Sequence, residues 1–205
     1  KSSSLIDFSN LISKDAFFYF HLNEKYKNYK YIANEINFSS SILAIPKQVH
    51  SSNVIIINKP GVYNNVDGLI TTIPNILLCL QVADCVPIYL YAFKSKIIGL
   101  VHAGWRGIVG GIVQNSIEKM LLLGAYPKEI KIYLGPSIGK CCYEVNFDVA
   151  NYFNIKNKLK NGKWKVGIRE QINFFLLELG IIQKNIKMSS ICTFESKSYH
   201  SYRRD

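Results

Sequence analysis

The sequence predicts an α+β fold, with helices packed on a mixed, largely antiparallel β-sheet core. Three observations carry this. First, three short, apolar, β-rich runs follow one another: "ILLCLQV" (76–82), "VPIYLYAF" (86–93) and "KIIGLVH" (96–102). Second, "FKSK" joins the last two over a distance too short for a parallel crossover, so they pair as an antiparallel hairpin. Third, helical periodicity appears over 108–123 and 169–180, interspersed with strands in an order that does not alternate as a doubly wound fold does.

The remaining elements follow in chain order. Residues 16–38 are aromatic, polar and only weakly periodic. "SILAI" reads as a strand that stops at Pro46, and "NVIIIN" as the next. Pro87 reads as a break between the runs at 76–82 and 86–93. In 108–123 the apolar positions Ile112, Val113, Ile117, Met120 and Leu121 share a helical face, and Gly124 and Pro127 mark the stop. "IKIYLG" (130–135) is a strand, "REQINFFLLELG" (169–180) a helix ended by Gly180, and "IKMSSICT" a late strand.

Composition narrows the function classes. A chain of 205 residues, 48% hydrophobic and 19% charged, suits one domain over 1–205 with one substantial core. The longest apolar runs fall far short of the roughly 20 residues that span a bilayer. The start, "KSSSLIDFSN", is polar and carries an aspartate, unlike a signal peptide. The net charge of +11 raises a nucleic-acid partner, but lysine supplies 21 of 25 cations and is spread along the chain, as on solvated faces. No membrane or nucleic-acid partner is expected. The four arginines, Arg106, Arg169, Arg203 and Arg204, hold more interest, because a guanidinium fork suits anions as lysine does not. Five cysteines, an odd number with one adjacent pair, fit reduced thiols in a cytoplasmic protein.

"GLVHAGWRGIVGG" (99–111) concentrates the scarce residues: His102, Trp105 and Arg106 fall within five positions, among glycines. Two more candidates sit where strands end. His50 lies in "PKQVHSSNV" and Cys85 in "QVADCVPIYL". Two histidines and a cysteine, with a fourth position left open, form a catalytic zinc set. The same residues also fit blander roles: a cysteine in an apolar run packs as a small hydrophobe, and a lone histidine is commonly a satisfied polar group. If the set is real, the three donor atoms converge within about 4 Å of one another.

"QVH", "DGLIT", "ADCVPIYL", "VHAGWRG", "LGPSIGKCCYEV" and "SYRR" occur in that order from about residue 45 to the end. In these motifs the chain resembles the laccase-domain (multicopper polyphenol oxidase) family, now described as purine nucleoside phosphorylases with adenosine deaminase activity. The resemblance implies zinc on His50, Cys85 and His102, and substrates that are purine nucleosides and phosphate. On that reading Gly104 and Gly107 let the backbone turn close to a ligand. A helix starting near Ile108 aims its amides at an anion. Arg106 holds phosphate. Trp105 stacks on a purine, walls the pocket or packs as core, and Gln48 and Arg203 contribute to the substrate site. Asp84 and Glu144 are the carboxylates to consider for proton transfer, Asp84 alternatively as an anchor for a ligating histidine. Two family features are missing: the "TRxGG" motif near the N-terminus is replaced by "FFYFHLNEKYK", and the aspartate just before the late helix by about Gly167.

Two other enzyme classes use the same residues. A copper oxidase fits poorly, because four histidines are too few for a trinuclear cluster and the two methionines, Met120 and Met188, fall in other elements. A single copper on the same three residues is the alternative to zinc. A Cys–His hydrolase would use Cys85 as nucleophile with His50 or His102 as base.

Overall fold

The computed structural model describes residues 36–205, residues 29, 33 and 34, and the backbone of two short paired strands, β1 (Leu5–Asp7) and β2 (Tyr19–His21). "FFYFHLNEKYK" lies outside the described residues apart from β2. Strands β3 (Leu43–Lys47), β4 (Val54–Ile56), β5 (Gly61–Asn64), β6 (Gly68–Thr71) and β7 (Leu77–Leu78) precede the hairpin of β8 (Val86–Ala92) and β9 (Ile97–Ala103). Two helices follow, α1 (Trp105–Val109) and α2 (Ile112–Leu122), and then β10 (Ile130–Leu134) and β11 (Glu144–Val145). Helix α3 (Phe147–Ala150), β12 (Lys156–Lys158), β13 (Trp164–Val166), α4 (Ile168–Glu178) and β14 (Ile186–Met188) complete the order.

The main sheet has six strands in the order β14-β10-β8-β9-β6-β4. Its three central pairings are antiparallel and its two outer ones parallel, as expected of a mixed, largely antiparallel core. β3 lies between β5 and β7 in a small parallel sheet, and β13 between β11 and β12 in an antiparallel one.

The β8–β9 hairpin decides where the site lies. Val86, Ile88, Leu90 and Ala92, with Ile97, Val101 and Ala103, point into the main core against Ile112, Ile117 and Met120 of α2 and Ile172 and Leu176 of α4. Each fully buried valine, leucine, isoleucine or methionine among them contributes roughly 1.5–3 kcal/mol. The alternate set, Pro87, Tyr89, Tyr91, Ile98, Leu100 and His102, faces a cavity on the other side of the sheet. Strand alternation therefore places His102 on the cavity face, between two core residues.

Several boundaries differ from the sequence reading. Pro46 does not stop β3, because β7 pairs only with Leu43 and Ala44 and makes no demand on position 46. Pro87 lies within β8, opposite His102, whose N–H turns away to Asp67 O at 2.7 Å, so no ladder bond between them is lost. Of 76–82 only Leu77–Leu78 form a strand. The helix expected over 108–123 is two helices, parted at Gly110 and Gly111, the latter left-handed at φ 91°. Ile108 is thus inside a five-residue helix and is no helix N-terminus. Leu121 is 40% exposed, off the buried face. Gly124 (φ 93°) ends α2 as expected, its N–H on Leu121 O at 2.9 Å and that of Ala125 on Met120 O at 3.1 Å.

Candidate functional site

His50, Cys85 and His102 come together at one end of the β8–β9 hairpin, and each offers a donor atom within 4.8 Å of the other two. His50 follows β3 in the left-handed conformation (φ 60°), Cys85 directly precedes β8, and His102 stands on β9. A tetrahedral ion with bonds of about 2.0–2.3 Å separates its ligands by roughly 3.3–3.8 Å. The 4.8 Å bound is compatible with the convergence expected from the sequence, and His50, the exposed member of the set, faces the open side. The two imidazoles already meet edge to face, centroids 4.7 Å apart.

Gly104 explains the close approach. A Cβ there would lie 3.0 Å from His50 Cδ2 and 3.1 Å from Cys85 Sγ. Its φ of −78° suits any residue, so only this crowding selects glycine. Gly104→Ala is expected to keep its fold, with a loss of about 1–2 kcal/mol, yet to bind zinc at least about tenfold more weakly because His50 is pushed aside. Denaturant unfolding and competition with a chromogenic chelator measure the two effects.

Asp67, not among the residues singled out from the sequence, organises this end of the sheet. Its fully buried carboxylate accepts His102 Nδ1 at 2.8 Å, the N–H of His50 at 3.0 Å and of Val49 at 3.2 Å, and both the N–H and hydroxyl of Ser51 at 2.8 and 2.7 Å. One side chain thus fixes the loop that carries His50 and the ring of His102. Because the carboxylate only accepts, Nδ1 carries the proton and the Nε2 lone pair is left for a ligand. The available signal was positional: an aspartate opening the motif "DGLIT" ahead of a fully buried strand.

The ionisation states suit a cation. Burial pushes the Cys85 thiol up to about 12, helped by the negative charges of Asp84 and Asp67. Burial also lowers His102, against the opposing pull of Asp67. Burial would raise Asp67, but the donors from His102, Ser51 and Val49 outweigh it and hold the carboxyl below its usual range. Both lowered groups bind fewer protons folded than unfolded, so stability falls as pH drops. For metal-free protein the thermal midpoint is expected to decline below about pH 6.5, where unfolded His102 protonates, and to fall again below about 3.8, where Asp67 does. A midpoint that rises on acidification contradicts this.

The other residues singled out from the sequence divide into two groups. Arg106 is exposed at the cavity edge, its guanidinium 4.5 Å above the Trp105 ring, and among the described residues it has no hydrogen-bond partner. Trp105 packs against the main core, so its ring supports the arginine. Arg203 lies over Tyr143 at 5.2 Å, donates to Glu144 O at 2.9 Å and lines the same cavity. Gln48, by contrast, is used as a strap: Nε2 donates to Gln81 O and Oε1 accepts Gln81 N–H, at 2.7 and 3.0 Å. Asp84 makes no hydrogen bond to His50 or His102. Its carboxylate accepts the hydroxyls of Thr193 and Ser201 and the N–H of Arg203, at 2.6, 3.0 and 2.8 Å, and so ties the C-terminal segment to the residue beside Cys85. Glu144 lines a second, smaller cavity. Arg169 and Arg204 are taken up by backbone carbonyls.

The shared cavity is about 1990 Å³, larger than the roughly 300–1,000 Å³ of most small-molecule sites and able to hold a substrate of two parts.

A family described as multi-copper polyphenol oxidoreductase laccase matches residues 23–205, a span that contains every candidate site residue. The chain belongs to this laccase family. Within the curated proteins, a purine nucleoside phosphorylase of Deinococcus radiodurans is 35% identical over 181 residues, 85% of this chain and 69% of that protein. Adenosine deaminase RL5, from an unknown prokaryotic organism, is 31% identical over 193 residues, 84% of this chain and 74% of its own. The fold matches the crystal structures of Bacillus licheniformis hypothetical protein YfiH and Geobacillus stearothermophilus YlmD, with TM-scores of 0.82 and 0.81 at 28% identity, each over 85% of this chain and 73% of theirs. This member of the laccase family is an enzyme, as the motifs implied. Among the described residues no helix is long and apolar enough to cross a membrane, and all five cysteines are free.

Proposed function

We propose that the chain is a zinc-dependent purine nucleoside phosphorylase, acting on adenosine, inosine and methylthioadenosine, that also deaminates adenosine. The observation that carries this is the meeting of a two-imidazole, one-thiol donor set with two guanidinium groups in one cavity. The names of the relatives supply the purine chemistry.

His50, Cys85 and His102 would hold the zinc, and the donor chemistry, the Gly104 cradle and the Asp67 bond to His102 all fit it. Zinc bound there supplies Lewis-acid chemistry at a position left open to the cavity. The chain's own groups bind and orient. Arg106, propped on Trp105, presents parallel N–H groups that grip phosphate, and Arg203 adds a second positive charge. In phosphorolysis a phosphate oxygen bonds to ribose C1′ while the C1′–N9 bond breaks, its electron pair leaving with the purine. Arginine-held phosphate also offsets the positive charge that builds on the ribose. In deamination water adds at C6 and ammonia leaves. Asp84 acts by positioning, since its carboxylate is committed to Thr193, Ser201 and Arg203. Glu144, on the other cavity, receives no role in this scheme.

The copper and hydrolase readings find less support. Met120 is buried in α2, Met188 is 43% exposed on an edge strand, and neither lines the cavity. A Cys85 thiol pushed up to about 12 is a poor nucleophile unless a cation takes its proton.

Arg106→Lys tests the assignment. Losing the paired contact is expected to raise the phosphate KM roughly tenfold or more, about 1.4 kcal/mol, with zinc content unchanged. Unaltered phosphate dependence removes Arg106 from the phosphate site.

A further inference from the structure

We propose that Cys141, Cys142, Cys192 and Glu195 form a second metal site, for a thiophilic divalent ion such as zinc. It lies apart from the His50–Cys85–His102 set and does not depend on the reaction performed there. One donor atom from each of the four residues lies within 4.8 Å of the others.

The arrangement comes from two segments of backbone. Read as an extended strand, Cys141 and Cys142 would point to opposite faces. Instead the N–H groups of Cys142 and Tyr143 both close on Gly139 O at 3.0 Å, and this tight turn puts the two sulfurs on one side, 3.3 Å apart. A parallel bridge from Ser137 to Cys192, with Thr193 N–H on Ser137 O at 3.1 Å, brings the second segment alongside. Glu195 Oε1 then reaches Cys142 Sγ at 3.5 Å.

Two details point to a metal rather than to packing. Gly139 N–H donates to Cys192 Sγ at 3.2 Å, a bond that offsets charge on a ligating thiolate. A Cβ at Gly139 would come 2.9 Å from Cys141 Sγ and 3.3 Å from Cys192 Cβ, so the turn admits the cluster only with glycine there. Three thiolates and a carboxylate complete a tetrahedral set with no position left open, the composition of a structural site. Cys141 is exposed and the neighbouring cavity of about 380 Å³ gives an ion access. The ion would clamp the 139–142 turn to the segment that leads to Arg203.

Cobalt(II) is the probe, added under reducing, oxygen-free conditions to chelator-stripped protein. The full chain is expected to take two ions, with a strong near-ultraviolet sulfur-to-cobalt band. Cys85→Ser is expected to keep one ion and most of that band, because three of four thiolate contacts remain. Cys142→Ala/Cys192→Ala is expected to keep one ion and lose most of the band. A Cys85→Ser protein without cobalt absorption overturns the proposal whether or not the double variant folds, and so does one ion per chain in the full protein that Cys85→Ser removes.

Discussion

Cys85→Ser is expected to fold, to lose the zinc of the active site and to lose both phosphorolysis and deamination. The reason is charge. Burial and the neighbouring Asp84 and Asp67 keep the free thiol protonated, so Cys85 becomes a thiolate only by giving its proton up to a cation. A serine hydroxyl will not ionise there, and two neutral imidazoles remain. Loss of turnover should exceed the roughly 10- to 100-fold that removing a supporting hydrogen-bond partner causes. Size is nearly unchanged, so the fold of the metal-free protein should be kept. Cys79→Ser is the control: it touches no donor of the set, and should cost roughly 1–3 kcal/mol with little loss of zinc. Zinc per chain, turnover and midpoint are the readouts. A Cys85→Ser protein that keeps zinc but loses turnover would favour a thiol nucleophile.

Asp67→Ala is expected to have the largest effect on stability. It leaves three backbone N–H groups, the Ser51 hydroxyl and the His102 Nδ1 proton without their acceptor. At about 1–3 kcal/mol for each donor that stays dry, and with water reaching the exposed His50 side, the loss should be about 3–5 kcal/mol. That is a large part of a typical domain's 5–15 kcal/mol. Asp67→Asn keeps an accepting oxygen and should lose less, while its zinc affinity still falls about 10- to 100-fold as His102 loses its fixed orientation. Denaturant unfolding with zinc competition on the asparagine variant separates the effects. Unchanged affinity there would mean that something other than Asp67 orients the ring.

The legible parts of the sequence were those that depend on local chemistry. The four-residue "FKSK" link required a hairpin, and β8 and β9 pair over their whole lengths. Gly124 and Gly180 marked helix ends because a left-handed residue is needed there, at φ 93° and 82°. His50, Cys85 and His102 lay at strand ends, and the family resemblance of their motifs, more than their spacing, marked them as a set. What the sequence hid depends on contacts between distant segments. "ILLCLQV" has the composition of a long strand, yet β3 offers it an edge at only two positions. Pro87 looked like a break because the direction of the facing N–H is set by Asp67, 20 positions earlier in the sequence. Asp84 sits beside Cys85, yet its partners Thr193 and Ser201 are more than 100 residues away. The gathering of Cys141, Cys142 and Cys192 was invisible for the same reason, since a turn and a bridge, not a spacing, bring them together.

Chromatography of the products of adenosine, after incubation with reduced, zinc-loaded protein with and without phosphate, reads both activities at once. Adenine and ribose 1-phosphate are expected only when phosphate is present, and inosine in both cases. A fully zinc-loaded protein that yields neither phosphate-dependent adenine nor inosine would contradict the proposed function.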